Sequence, residues 1–262
     1  MVRSSVMRLL RAFVPFCLMV LVQRGLLLLF GYLRLSSRIA DMLAFIPAAL
    51  CCAVAFFLIR VLPAESEGEE EIPPLTKKGL ACSILQTAVA VAVMAAMMYA
   101  VSSIMDDSLA DEVTLSALTV ASTLIIHPIL EEYVFRGLIY TEMRRMNPIF
   151  AILAQAVMFA IVHKTVSGML YALASGVVLA ALFEVSGRLW TSIAAHIIIN
   201  ARSLVYMTLL APQPELIRVF DTMLFVLGVI SLIGLFVIRG FADGSDDTDT
   251  AATYAEVEDD EE

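Results

Sequence analysis

Apolar residues run along this chain in long unbroken stretches rather than alternating with polar ones. The runs predict eight helices, at 10–33, 39–62, 80–105, 113–143, 148–164, 169–186, 189–210 and 216–238. A bilayer core about 30 Å thick takes about 20 apolar residues of helix, and only helices or closed barrels satisfy the backbone in lipid. Barrel strands alternate with a period of two; these segments do not. The expected fold is therefore all-α, a polytopic transmembrane bundle of about eight spans.

The breaks between runs set the organisation. Pro73-Pro74 and a Glu cluster at 65–71 mark an acidic linker, 63–79, between two N-terminal helices (1–62) and a six-helix body (80–239). Residues 240–262 hold ten Asp or Glu and no Lys or Arg, and read as a solvated, disordered tail. No internal repeat is visible beyond shared hydrophobicity.

Composition sharpens this in two ways. The chain is 60% hydrophobic with a mean hydropathy of +0.89, as an integral, multi-pass membrane protein should be. Its net charge of −9 comes from the linker and tail, so the embedded body is net positive and nothing suggests nucleic acid. Lys and Arg collect on the side of both termini, which the positive-inside rule places in the cytoplasm, with the acidic 106–112 loop outside. The plasma membrane is the expected location. Cys17, Cys51, Cys52 and Cys82 lie in apolar runs without a CxxC spacing and read as buried, unreactive thiols.

A few polar residues interrupt the greasy runs. A charge at the bilayer centre costs about 2.5–3.5 kcal/mol on insertion scales, so each is a functional candidate. Glu131 and Glu132 are adjacent in the fourth run, and Arg136 stands one turn beyond Glu132, able to neutralise it. Glu131 lies about 100° further round and cannot share that arginine along its own helix. The three histidines, His127, His163 and His196, all fall in the six-helix body. His127 and Glu131, Phe159 and His163, and His196 and Asn200 are each spaced by four, one face of a helix per pair. Spacing alone leaves two outcomes: one shared polar site, or separate packing and helix–helix hydrogen bonds. Asp221 beside Arg218 reads as a local ion pair, and Glu184 as an interfacial residue.

Glu131-Glu132-x-x-x-Arg136, then Phe159-x-x-x-His163, then His196-x-x-x-Asn200 resemble the three ordered motifs of the CPBP family. That family groups CAAX prenyl endopeptidases with bacteriocin-processing (Abi) membrane proteins. The resemblance covers about 113–210. Pro128, Gly137 and Leu189-Trp190 before Ala195-His196 agree with it, while His127 before Pro128 departs from it.

The resemblance implies hydrolysis of a peptide bond in the membrane, with a peptide or membrane-anchored protein as substrate. By similarity Glu131 is the general base, His163 holds or polarises the water, and His196 and Asn200 stabilise the oxyanion. Glu132, Arg136 and Phe159 would support the site; His127 would tune Glu131 or pack. Ser167 and Ser192 have no triad and read as packing residues. Two cofactor outcomes stand: none required, with glutamate-activated water, or zinc on Glu131, His163 and His196. The HExxH zinc helix is missing. The competing classes are a catalytically silent scaffold or bacteriocin-immunity-type binding protein, and a small proton-relay transporter. Retention of all four of Glu131, His163, His196 and Asn200 favours the enzyme over a scaffold. No pair of Gly/Pro-broken helices recurs as a transporter would need.

One expectation sits awkwardly with a shared site. On straight helices Glu131, His163 and His196 differ in depth by about two turns.

Overall fold

The computed structural model describes residues 2–60, 76–104, 120–206, 215–216 and 218–235. Most of the acidic linker, the 106–112 loop, the acidic tail and the outer ends of several predicted runs lie outside the described residues. Among those described there are eight helices and no strand. They are α1 (Val2–Tyr32), α2 (Ser37–Arg60), α3 (Lys77–Ile104), α4 (residues 120–144), α5 (Pro148–Ile161), α6 (Val166–Ser186), α7 (Leu189–Val205) and α8 (Arg218–Leu235). The fold is the all-α membrane bundle that the apolar runs predict. Five helices, α1, α2, α3, α6 and α8, are long and apolar enough to cross a bilayer, and α5 and α7 are shorter apolar helices. Leu21, Leu28, Leu58 and Met223 stand mostly exposed on the outside, the face such a bundle turns to lipid.

Two apolar cores meet at α6. One joins Phe16 and Met19 of α1, Phe45 and Cys52 of α2, Phe135 and Tyr140 of α4, Phe159 of α5 and Ala172 and Ala180 of α6. The other joins Met94 of α3, Leu179 and Leu182 of α6, and Ala195 and Ile199 of α7, with Leu224 of α8 against it. The front pair α1–α2 thus packs directly on the helices that carry the motifs. A buried Arg11–Glu142 pair at 3.3 Å adds a polar tie between α1 and α4.

Local chemistry fixes the helix ends. Asn147 caps α5 by accepting from the Phe150 N–H at 2.9 Å, with Pro148 in the first turn, where its missing N–H costs nothing. Thr165 caps α6 by accepting from the Gly168 N–H at 3.0 Å. Gly187, at φ 65°, closes α6 in the left-handed conformation that glycine tolerates. Of the cysteines, Cys52 is buried as expected, but Cys17 is exposed because it falls on the outer face of α1.

α4 is not a uniform α-helix. Ser122–Ile126 and Tyr133–Tyr140 are π-helical and flank a short α segment, His127–Glu132. Pro128 cannot donate to the ladder and crowds the turn before it, which accounts for a widened turn upstream. Straight-helix depth arithmetic therefore fails across α4. It fails at α5 too, because that helix stops at Ile161 and leaves His163 in the connector to α6 rather than on a span reaching 164. At 14 residues α5 is about 21 Å long, short of the hydrocarbon thickness. Non-helical backbone at that depth is tolerated only inside protein or along a water-filled hollow.

α5 and α6 touch most closely at Gly176. A Cβ added there would stand 3.1 Å from both the Cα and the Cβ of Ala156 and 3.3 Å from the Phe159 ring. Helix propensity alone would make Gly176→Ala stabilising by about 1 kcal/mol. Because Ala156 backbone cannot yield as a flexible side chain could, the expected result is the reverse, a loss of about 1–3 kcal/mol. Thermal unfolding in detergent measures it, and a raised midpoint would refute the close-packing account.

Candidate active site

The acid pair is built from α4 outward. Glu132 and Arg136 are both fully buried, with Arg136 Nη1 donating to Glu132 Oε1 at 2.9 Å. Arg136 is held on two further sides. Its Nη2 donates to the Gly176 carbonyl at 3.2 Å, and the guanidinium carbon lies 4.7 Å from the centroid of the Phe159 ring. Gln155 shares the same carbonyl, donating at 2.8 Å. A cation buried so deeply depends on these partners, although Arg136 Nε and Glu132 Oε2 remain without one among the described residues.

His196 on α7 stands between the two acids. Its Nδ1 is 2.8 Å from Glu132 Oε1, so Nδ1 carries the proton and the carboxylate accepts. Its Nε2 faces Glu131 Oε2 at 3.5 Å. Glu132 Oε1 therefore accepts from both Arg136 and His196, which fixes the imidazole and leaves Nε2 as the nitrogen open to chemistry. Glu131 has no such anchor; its side chain retains 12% exposure.

His163 is set by its own turn. Its Nδ1 donates to the Phe159 carbonyl at 2.9 Å, which leaves Nε2 with the lone pair. The Phe159 ring meets His163 edge-on at 5.0 Å, His196 at 5.9 Å and Phe135 at 5.0 Å. One phenyl ring thus spaces the two histidines and covers the arginine. Asn200, one turn beyond His196, donates from Nδ2 to the Thr123 carbonyl in the first π segment at 3.0 Å. A widened turn exposes carbonyls to such donors.

His163, His196, Asn200 and Phe159 line one cavity of about 220 Å³, walled on its other side by Met94, Met97 and Met98 of α3 and Tyr171 of α6. Glu131 reaches that wall through His196. His127 is not in the lining: its ring packs on Phe45 of α2, with centroids 5.0 Å apart, and it stands within electrostatic reach of Glu131, His163 and His196. Of the residues singled out in the sequence, Glu131, Glu132, Arg136, Phe159, His163, His196 and Asn200 converge; Phe159, His163, His196 and Asn200 line the hollow, and Glu131, Glu132, Arg136 and His127 are not in its lining.

Among the described residues no group of three His, Cys, Asp or Glu stands close enough to hold a metal ion. Glu131 and His196 Nε2 could bracket one, and the His196 Nδ1–Glu132 bond is the support a metal-ligating histidine commonly has, but no third donor is grouped with them among the described residues.

Other polar residues form ties away from the site. Asp221 accepts from Arg202 at 2.9 and 2.5 Å, whereas Arg218 pairs with Glu215 at 2.6 Å, so the expected Arg218–Asp221 pair does not form. The buried guanidinium on α7 takes the acid, and the exposed one takes a neighbour in its own turn. Glu184 accepts from the Tyr140 hydroxyl at 2.7 Å and from Arg144 at 2.8 Å, clasping α6 to α4. Ser192 donates to the Leu179 carbonyl, a packing role. Two participants escaped the sequence reading, Gln155 and Gly176. Gln155 precedes Phe159 by four, so a stripe 155–159–163 was there to be seen. Nothing in the sequence marks the carbonyl of Gly176.

Residues 113–202 match the family described as type II CAAX prenyl endopeptidase Rce1-like. A curated relative, named "Putative membrane peptidase YdiL" from Bacillus subtilis (strain 168), is 38% identical over 77 residues, which is 29% of this chain and 32% of the relative. The match thus spans about a third of that relative's length. No solved structure matches the chain. All the converging residues fall inside the matched stretch, which covers about a third of this chain and is similar to the CPBP family in its Rce1-like type.

Proposed function

We propose that the protein is an intramembrane endopeptidase that hydrolyses a peptide bond in a membrane-associated or hydrophobic peptide or protein. The observation that carries this is the line Arg136–Glu132–His196, joined by hydrogen bonds and extended to Glu131 at 3.5 Å from His196 Nε2, set against a cavity that His163 and Asn200 share. Glu131, the acid without a fixed cation, takes a proton from water as the oxygen attacks the scissile carbonyl. The lone pair on His163 Nε2 accepts the water's other hydrogen and orients it. His196, carrying a proton on each ring nitrogen with Glu132 balancing the charge, donates from Nε2, and with the second N–H of Asn200 faces the oxygen on which charge develops. The C–N bond then breaks as Glu131 returns its proton to the leaving amine, and the base is regenerated. Arg136, Glu132 and Phe159 act by holding His196 and the end of α5 in place. The chain is read as a multi-pass protein of the plasma membrane with both termini in the cytoplasm, its substrate arriving from the bilayer.

The test is purified protein in detergent, offered membrane-soluble peptides with and without a prenyl group, with fragments identified by mass. Cleavage is expected, and it should persist in chelator with zinc well below one per chain. Stoichiometric zinc with chelator-sensitive cleavage would instead make Glu131 and His196 metal ligands and overturn the metal-free route. Intact peptides in every condition would remove the endopeptidase reading itself.

A further inference from the structure

The matched segment begins at 113, so α1 and α2 lie outside it, yet both reach the connector that carries His163. α5 ends at Ile161 and α6 begins at Val166, so the last carbonyls of α5 need donors at membrane depth. Arg24, well inside the α1 span, donates from Nη2 to the Ile161 carbonyl at 3.1 Å. A cation at a helix C-terminus also meets the favourable end of its dipole. Asp41 of α2 pairs with Lys164, the residue after His163. The connector is therefore gripped two residues before the histidine and one residue after it, from two different helices.

α2 makes a second contact that gives the grip a purpose. Phe45, one turn from Asp41, packs on His127, which stands one turn before Glu131 on α4. One face of α2 thus touches the helix of the catalytic acid and the connector of the water-holding histidine. We propose that Arg24 and Asp41 are positioning residues, and that α1–α2 fixes the separation between Glu131 and His163. The inference rests on the endopeptidase reading for its kinetic consequence, but not for its structural one. A displacement of about 1 Å in such a constellation costs on the order of a hundredfold in rate, so a modest grip has a large effect.

Two readouts test it together. Amide exchange of residues 162–165 should quicken about fivefold in Asp41→Asn and Arg24→Gln, the weight of a partly exposed ion pair, with 132–140 unchanged. In the same variants kcat on a peptide substrate should fall about tenfold with KM unchanged. Arg24→Lys should keep most of the activity, and Asp41→Lys combined with Lys164→Asp should recover what each single change loses. Quickened exchange beside a wild-type protein that cleaves nothing would leave the grip standing and remove the endopeptidase reading. Unchanged exchange and kcat would overturn the grip. So would exchange that rises equally in 132–140, because the two residues would then serve general stability only.

Discussion

Glu131→Gln is expected to lower the rate of peptide hydrolysis by about 10³–10⁴ while leaving abundance and thermal stability at wild-type values. A positioned general base contributes about 10²–10⁴, and here the same carboxyl also returns the proton to the leaving amine, which places the loss at the upper end. Glutamine keeps the shape and can still meet His196 Nε2, but it cannot take a proton from water. Stability should hold because Glu131 makes no ion pair closer than its 3.5 Å approach to His196 among the described residues and remains partly exposed, unlike its neighbour. Single-turnover cleavage with peptide in excess over its binding constant separates the chemical step from binding, and KM should move little. A variant within tenfold of wild type would take Glu131 out of the chemistry. A variant that fails to accumulate would show that the wrong one of the two acids has been assigned to structure.

The sequence made the class of fold legible because apolar run length in lipid has few physical meanings. It also made the acid–arginine pair legible, since four residues along a helix bring side chains together whatever the tertiary fold. Convergence across helices was harder. His196 is sequence-distant from Glu132 by 64 residues, and only packing puts them 2.8 Å apart. Straight rods placed the three motif residues at different depths. The π segments of α4 and the early end of α5 undo that arithmetic, and neither has a reliable signature beyond Pro128. Backbone carbonyls used as partners, those of Gly176, Ile161 and Thr123, are invisible to any reading of side-chain types. Asp221 shows the same limit from the other side: its near neighbour in sequence loses to Arg202 on another helix. His127 shows that spacing alone does not separate tuning from packing: one turn from Glu131, it stands within electrostatic reach of that acid while its ring packs on Phe45.

Glu132→Gln should fail in a different way, by loss of folded protein. Glu132 Oε1 accepts from Arg136 and His196 together, and both glutamate and arginine are fully buried. Removing the negative charge leaves Arg136 with the Gly176 carbonyl and the face of Phe159, neither of which neutralises it. Breaking one side of a buried ion pair costs about 3–5 kcal/mol, a large share of the roughly 5–15 kcal/mol by which proteins are stable. Membrane abundance should drop, and the surviving fraction should unfold at lower temperature in detergent. The double variant Glu132→Gln with Arg136→Met separates charge from shape. Replacing both members of a buried pair is often close to neutral, so abundance should return toward wild type. Hydrolysis should not return, because His196 Nδ1 would still lack the carboxylate that orients it and supports positive charge on the ring. Recovery of stability without activity is therefore the expected pattern. If the double variant is as unstable as the single, the cost lies in packing around residue 132 rather than in the stranded cation. If activity returns with stability, Glu132 holds Arg136 alone, and His196 is oriented by something other than the acid it touches.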